Sequence, residues 1–116
     1  MKILIVDDEP NILASLKPAI ERMGYDVIVS QTFGQAETLL NDSIDIAMLD
    51  VWLGDKDGIE LLGLIKRKHP RIECIMISGH AQIETAVAAV KSGAYDFLEK
   101  PLSLDRIDVL LSNISR

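Results

Sequence analysis

Asp7 and Asp8 follow the apolar run Lys2–Val6, Asp50 follows the run 44–49, Ser78 follows the run 72–77, and Lys100 stands just beyond the short apolar pair 97–98. An isolated aspartate in such a place usually caps a helix or ends a turn. Three carboxylates, a hydroxyl and an ammonium group recurring at the ends of successive apolar runs point instead to shared chemistry. Carboxylates brought together repel one another and lose hydration, so a bound cation relieves the cluster. Oxygen donors of this kind suit a hard ion, Mg²⁺ or alternatively Mn²⁺. A carboxylate oxygen of Asp50 can then attack a phosphorus electrophile while Lys100 and the cation draw charge from the transferring oxygens, and Ser78 can donate a hydrogen bond to one of them. Asp8, assisted by Asp7, is the main expected side-chain metal ligand beside Asp50. The backbone carbonyl of Trp52 is a further candidate ligand, because that role does not depend on the side chain.

The residues around this set have simpler expected roles. Asp55 and Asp57 lie among Gly54 and Gly58 and read as turn residues. His80, two residues beyond Ser78, is placed to tune the pocket through attacking water. His69 precedes Pro70 and reads as a helix cap or surface group. Cys74 sits in an apolar run and reads as a small buried hydrophobe, and with two isolated histidines it makes no zinc pattern. There is no GxSxG elbow, and the short separation of Ser78 and His80 makes no serine hydrolase triad.

The elements that must position these groups alternate in type. Strands are expected over Lys2–Val6, 25–29, 44–49, 72–77 and 97–98, short runs without a polar period and therefore buried on both faces. Pro10 suits a first helical turn, and Ile12, Leu13, Leu16, Ile20 and Met23 recur at helical spacing before Gly24, with Pro18 as an internal penalty. Thr32 and Gln35 form a capping-box signal for a second helix. Ile59, Leu61, Leu62 and Ile65 mark a third, 81–91 a fourth ended by Gly93, and Leu104, Ile107, Leu111 and Ile114 a last one whose stripe reads mainly as core. Alternation of this kind predicts an α/β domain, a doubly wound, flavodoxin-like five-stranded parallel sheet of order 2-1-3-4-5 with helices on both faces. The ends of strands one and three then flank the topological switch point, where such sheets carry their sites.

Residues 1–116 read as a single domain, since a chain of this size has core for one. Its apolar runs are far shorter than the roughly 20 residues of a membrane span, so a cytoplasmic domain that does not engage a membrane is expected. A net charge of −6, from 18 acidic and 12 basic residues, argues against direct nucleic-acid binding by this domain.

The stretches KILIVDDEPN, AMLDVWLGDKDG, MISGH and GAYDFLEKP, which span nearly the whole chain, resemble the response-regulator receiver (CheY-like) family of two-component signalling. The resemblance implies Asp50 as phosphoacceptor from a sensor histidine kinase, Asp7 and Asp8 as the acidic metal pair, Ser78 as the hydroxyl switch, Lys100 as the phosphate-contacting lysine and Phe97 as the aromatic switch. It also implies a protein that is no conventional enzyme but takes part in its own phosphorylation and dephosphorylation, and a Lys100–Pro101 bond that is often cis. Trp52 occupies a variable position linked in the family to phosphate lifetime, a role that His80 could share. Gly54 departs from the proline common at its position. ISGHAQIETAVAAVKSGAYDFLEKPLSLDRI and WLGDKDG are similar to the nitrogen-regulation, NtrC/NtrX branch. That likeness implies the N-terminal part of a longer transcriptional regulator, with a C-terminal ATPase acting on sigma-54 polymerase, a helix-turn-helix DNA-binding domain, and a homodimer through the 81–116 region.

Two other classes compete with this reading. A phosphatase working through an aspartyl phosphate, of the haloacid-dehalogenase kind, would place its DxD motif after the first strand, whereas Asp50-Val51-Trp52 follows the third. A receiver-like interaction module without phosphorylation would have lost the acceptor, the acidic pair or the lysine, and none is lost.

Overall fold

The computed structural model describes residues 1–54, 56–79 and 83–116. Asp55 and His80, with the first two residues of the expected helix 81–91, lie outside the described residues. The chain runs β1 (Lys2–Val6), α1 (Pro10–Arg22), β2 (Asp26–Ser30), α2 (Phe33–Leu39), β3 (Ile46–Asp50), β4 (Trp52–Leu53), β5 (Lys56–Asp57), α3 (Gly58–Lys68), β6 (Glu73–Ser78), α4 (Ile83–Lys91), β7 (Asp96–Glu99) and α5 (Leu104–Ile114). Five of the strands form one sheet of order β2-β1-β3-β6-β7, with every neighbouring pair parallel. This is the flavodoxin-like order expected from the alternation of elements.

The strands lack a polar period because both faces of the sheet are covered. Ile3, Ile5, Ile46, Met48, Ile75 and Ile77 pack with Leu13, Leu16 and Ile20 of α1 and Ile107, Leu110 and Leu111 of α5. Their alternate neighbours Leu4, Val6, Ala47, Leu49, Cys74 and Met76 pack on the opposite face with residues of α2, α3 and α4. Successive strand side chains point to opposite faces, so two cores emerge from one apolar run. Burial pushes the Cys74 thiol up to about 12, in keeping with a hydrophobe and not a nucleophile.

Local chemistry sets the helix ends. Pro10 lies in the first turn of α1, and the helix runs on through Pro18. Thr32 caps α2 by accepting from the Gln35 N–H at 3.0 Å, while the Gln35 side chain accepts from the Gln31 N–H at 2.9 Å. The capping box is thus displaced by one residue on its return half. Asp57 caps α3 by accepting from the Ile59 N–H at 2.8 Å. At the other end of α3, His69 is the C-cap residue and its Nδ1 lies 3.0 Å from Asp42 Oδ1.

Two expectations need correction. The last-helix stripe is Ile107, Leu110 and Leu111, with Ile114 partly buried, whereas Leu104 is exposed at the helix start. The loop after Asp50 contains a two-residue antiparallel hairpin, β4 against β5, joined by a turn in which Gly54 has φ +66°. Proline, held near φ −65°, cannot take that conformation.

Candidate functional site

Parallel register aligns the ends of the central strands. Val6 of β1 pairs with Leu49 of β3, so Asp7 emerges beside Asp50, and Asp50 pairs with Ile77, which places Ser78 one residue further along β6. The Lys100 N–H donates to the Ser78 carbonyl at 2.8 Å, which brings the lysine to the same edge. Five groups scattered through the sequence therefore meet at the β1/β3 switch point, as expected for this architecture.

Asp7 is buried, and its Oδ1 accepts from the Glu9 N–H at 2.9 Å. Its Oδ2 lies 3.3 Å from Lys100 Nζ, close enough for ion pairing, but has no hydrogen-bond partner among the described residues. Asp8 is exposed and its Oδ2 accepts from the Gly54 N–H at 3.3 Å. Asp50 is 4% exposed; its Oδ1 accepts from the Trp52 N–H at 3.2 Å and its Oδ2 from Lys100 Nζ at 3.3 Å. Carboxylate oxygens of Asp7, Asp8 and Asp50 all lie within 4.8 Å of one another. An acidic trio with a buried oxygen lacking a donor fits a divalent metal with hard-ligand preference, so the residues present can hold one.

Burial raises Asp50 from an ordinary 3.8 to about 6, helped by the Asp7 charge and only partly offset by the Trp52 N–H and Lys100. For Lys100, burial acts to lower the ammonium group, but the hydrogen bond to Glu9 and the charges of Asp50, Asp7 and Glu9 outweigh it and hold it above the usual lysine range. Lys100 is therefore a persistent cation, facing an Asp50 carboxylate whose charged form is disfavoured by burial and by the Asp7 charge.

Ser78 is fully buried and its Oγ has no hydrogen-bond partner among the described residues. A buried hydroxyl without a partner is costly and is ready to donate to an incoming oxygen. Phe97 in β7 is half-buried and packs against the α2/α3/α4 face of the core. The Lys100–Pro101 peptide is cis. Trp52 is 53% exposed.

Two participants were not read from the sequence. Glu9 Oε1 lies 2.8 Å from Lys100 Nζ, the shortest ion-pair contact of that ammonium group among the described residues. The sequence signal was a glutamate standing just before Pro10, where a better helix-capping residue is usual. Gly58 donates its N–H to the Val51 carbonyl at 2.7 Å. A side-chain carbon there would overlap the Asp50 carbonyl oxygen, with the Asp50 carbonyl carbon at 2.9 Å. Gly58 thus lets α3 start against the strand end that carries Asp50.

A doubly wound sheet with an acidic trio, a hydroxyl and a lysine gathered at its switch point defines a receiver domain of two-component signalling. The chain belongs to the response regulator receiver domain family, which it matches over residues 3–112. Within it, the likeness is to NtrX-type regulators. The nitrogen assimilation regulatory protein NtrX of Azorhizobium caulinodans is 47% identical over 111 residues, covering 93% of this chain and 24% of that protein. The crystal structure of the receiver domain of NtrX from Brucella abortus superposes with a TM-score of 0.90 at 38% identity, covering 97% of this chain and 96% of that one. The solution structure of the beryllofluoride-activated NtrC4 receiver domain dimer gives 0.88 at 37% identity, with 97% and 94% coverage. The chain spans about a quarter of the length of the curated relatives it matches. As a receiver domain it is not a conventional enzyme. Among the described residues, no helix is long and apolar enough to cross a membrane.

Proposed function

We propose that residues 1–116 form the single receiver domain at the N-terminal end of a longer transcriptional regulator, taking a phosphoryl group from a sensor histidine kinase onto Asp50. The observation that carries this reading is the contact of Asp50 Oδ2 with Lys100 Nζ at 3.3 Å inside the acidic trio. In the transfer an Asp50 carboxylate oxygen forms a bond to phosphorus as the bond from phosphorus to the donor's imidazole nitrogen breaks. The leaving electron pair returns to that nitrogen. Lys100 neutralises charge on the transferring oxygens, and Ser78 supplies a hydroxyl hydrogen bond that it spends on no other described residue. Mg²⁺, or Mn²⁺, held by Asp7, Asp8, Asp50 and the Trp52 carbonyl, would supply further positive charge to those oxygens. Hydrolysis reverses the gain: water attacks phosphorus and the Asp50 carboxylate leaves. Trp52 and His80 are the residues proposed to tune that rate, and the exposure of Trp52 argues for modest shielding.

The phosphoryl group adds charge where Ser78 and Lys100 precede α4 and α5, which favours a different packing of those elements and of Phe97. Val87, Tyr95 and Val109 are exposed on the α4, β7 and α5 side, where Arg106 pairs with Asp96 at 3.5 Å. This region, 81–116, is the proposed homodimer surface, a reading supported by the activated dimer described for the NtrC4 receiver. The NtrX likeness supports a C-terminal ATPase acting on sigma-54 polymerase, a DNA-binding domain, a role in nitrogen regulation and a cytoplasmic location. In this reading the receiver itself binds neither nucleic acid nor membrane.

Incubation with acetyl phosphate tests the reading. Phosphoryl uptake is expected with Mg²⁺ and is expected to vanish with EDTA; uptake that ignores the metal would overturn the proposed site.

A further inference from the structure

Glu9 occupies the N-cap position of α1 yet makes no side-chain capping hydrogen bond. A glutamate there does little for the helix, since the short side chains of Ser, Thr, Asp and Asn are the ones that reach the free N–H groups. Its carboxylate is instead turned to Lys100, with Oε1 2.8 Å from Nζ, while Asp50 Oδ2 and Asp7 Oδ2 each stand at 3.3 Å. Among the described residues, the closest carboxylate to the Lys100 ammonium group therefore lies outside the acidic trio. The Glu9 side chain is 58% exposed, so water can replace the lysine around it at little cost, whereas Asp7 and Asp50 are buried. A local choice that is poor for the helix and close to a reacting group is the pattern of a functional contact.

We propose, resting on the reading of Asp50 as phosphoacceptor, that Glu9 is a positioning residue that holds Lys100 in the unphosphorylated protein and competes with the phosphoryl group for its ammonium. Charge arriving on Asp50 draws Nζ away from Glu9, and the released carboxylate passes to solvent. Glu9 thereby lowers the affinity of the site for a phosphoryl group and biases the domain toward its resting state. A ligand shifts such an equilibrium only by its differential interaction with the two states, and the Glu9–Lys100 contact is a difference of that kind.

The test compares the affinity for beryllofluoride, with saturating Mg²⁺, of wild type, Glu9→Gln and Glu9→Asp, with thermal unfolding alongside. Glu9→Gln removes the charge that holds Lys100 and is expected to tighten binding about fivefold. Glu9→Asp keeps the charge but suits the N-cap, so it is expected to cap α1, leave Lys100, raise the melting temperature and tighten binding to a similar extent. Unchanged or weaker binding by Glu9→Gln would overturn the proposal. So would a Glu9→Asp variant that binds like wild type, since the effect would then be through-space charge alone. Wild type that takes up no beryllofluoride would count against the Asp50 reading itself, a result separable from either variant outcome.

Discussion

Gly58 stands so close to Asp50 that an added side-chain carbon would overlap the Asp50 carbonyl oxygen. The contact is to backbone, which cannot swing aside as a flexible side chain would. Alanine ordinarily favours a helix by about 1 kcal/mol over glycine, but here α3 or the end of β3 must shift. Gly58→Ala is expected to destabilise the fold by about 2 kcal/mol or more in urea denaturation, and to weaken beryllofluoride binding because Asp50 moves with the strand end. A neutral or stabilising substitution would mean that the close approach is not maintained in solution.

The raised Asp50 pKa fixes the sign of a pH effect. Asp50 holds its proton more tightly in the folded chain, at about 6, than at the ordinary 3.8. The associated stability is fully present below about 4 and is lost as pH rises through about 6. In EDTA, Asp50→Asn is expected to exceed wild type in stability at pH 7.5 by on the order of 2–3 kcal/mol, the gap narrowing as pH falls toward 4. Parallel pH profiles for the two proteins would remove burial and the Asp7 charge as the source of the strain.

Ser78 sets stability against function in the opposite way. Its hydroxyl is buried without a partner among the described residues, and removing such a group relieves an unmet hydrogen-bonding demand of about 1 kcal/mol or more. Ser78→Ala is expected to leave the fold as stable or more so, while binding beryllofluoride less tightly. Loss of stability with unchanged affinity, measured by denaturation and titration on the same preparation, would assign Ser78 to packing alone.

The five-stranded sheet was legible because each central strand must be apolar on both faces, and that pattern survives in runs such as Ile3 to Val6. Strand limits were less so. β3 begins at Ile46, not at Ile44, because Asp45 turns its carboxylate to the Lys2 N–H at 2.8 Å, a long-range choice that no local pattern records. The β4–β5 hairpin has strands of two residues each, too short to show a period. Leu104 fitted the last-helix stripe by spacing alone, but its place at the start of α5 leaves it outside the core that Leu110 enters. At the site, residue types sufficed to expect Asp7, Asp8, Asp50, Ser78 and Lys100 in one place because they sit at strand ends that the topology must gather. Glu9 and Gly58 were missed because their roles depend on a side-chain direction and a backbone approach.

Asp50 as the acceptor is tested most directly by intact-mass measurement after incubation with Mg²⁺ and acetyl phosphate, wild type beside Asp50→Asn. Wild type is expected to gain the mass of one phosphoryl group and Asp50→Asn to gain none. An adduct formed on Asp50→Asn at the wild-type rate would contradict the assignment.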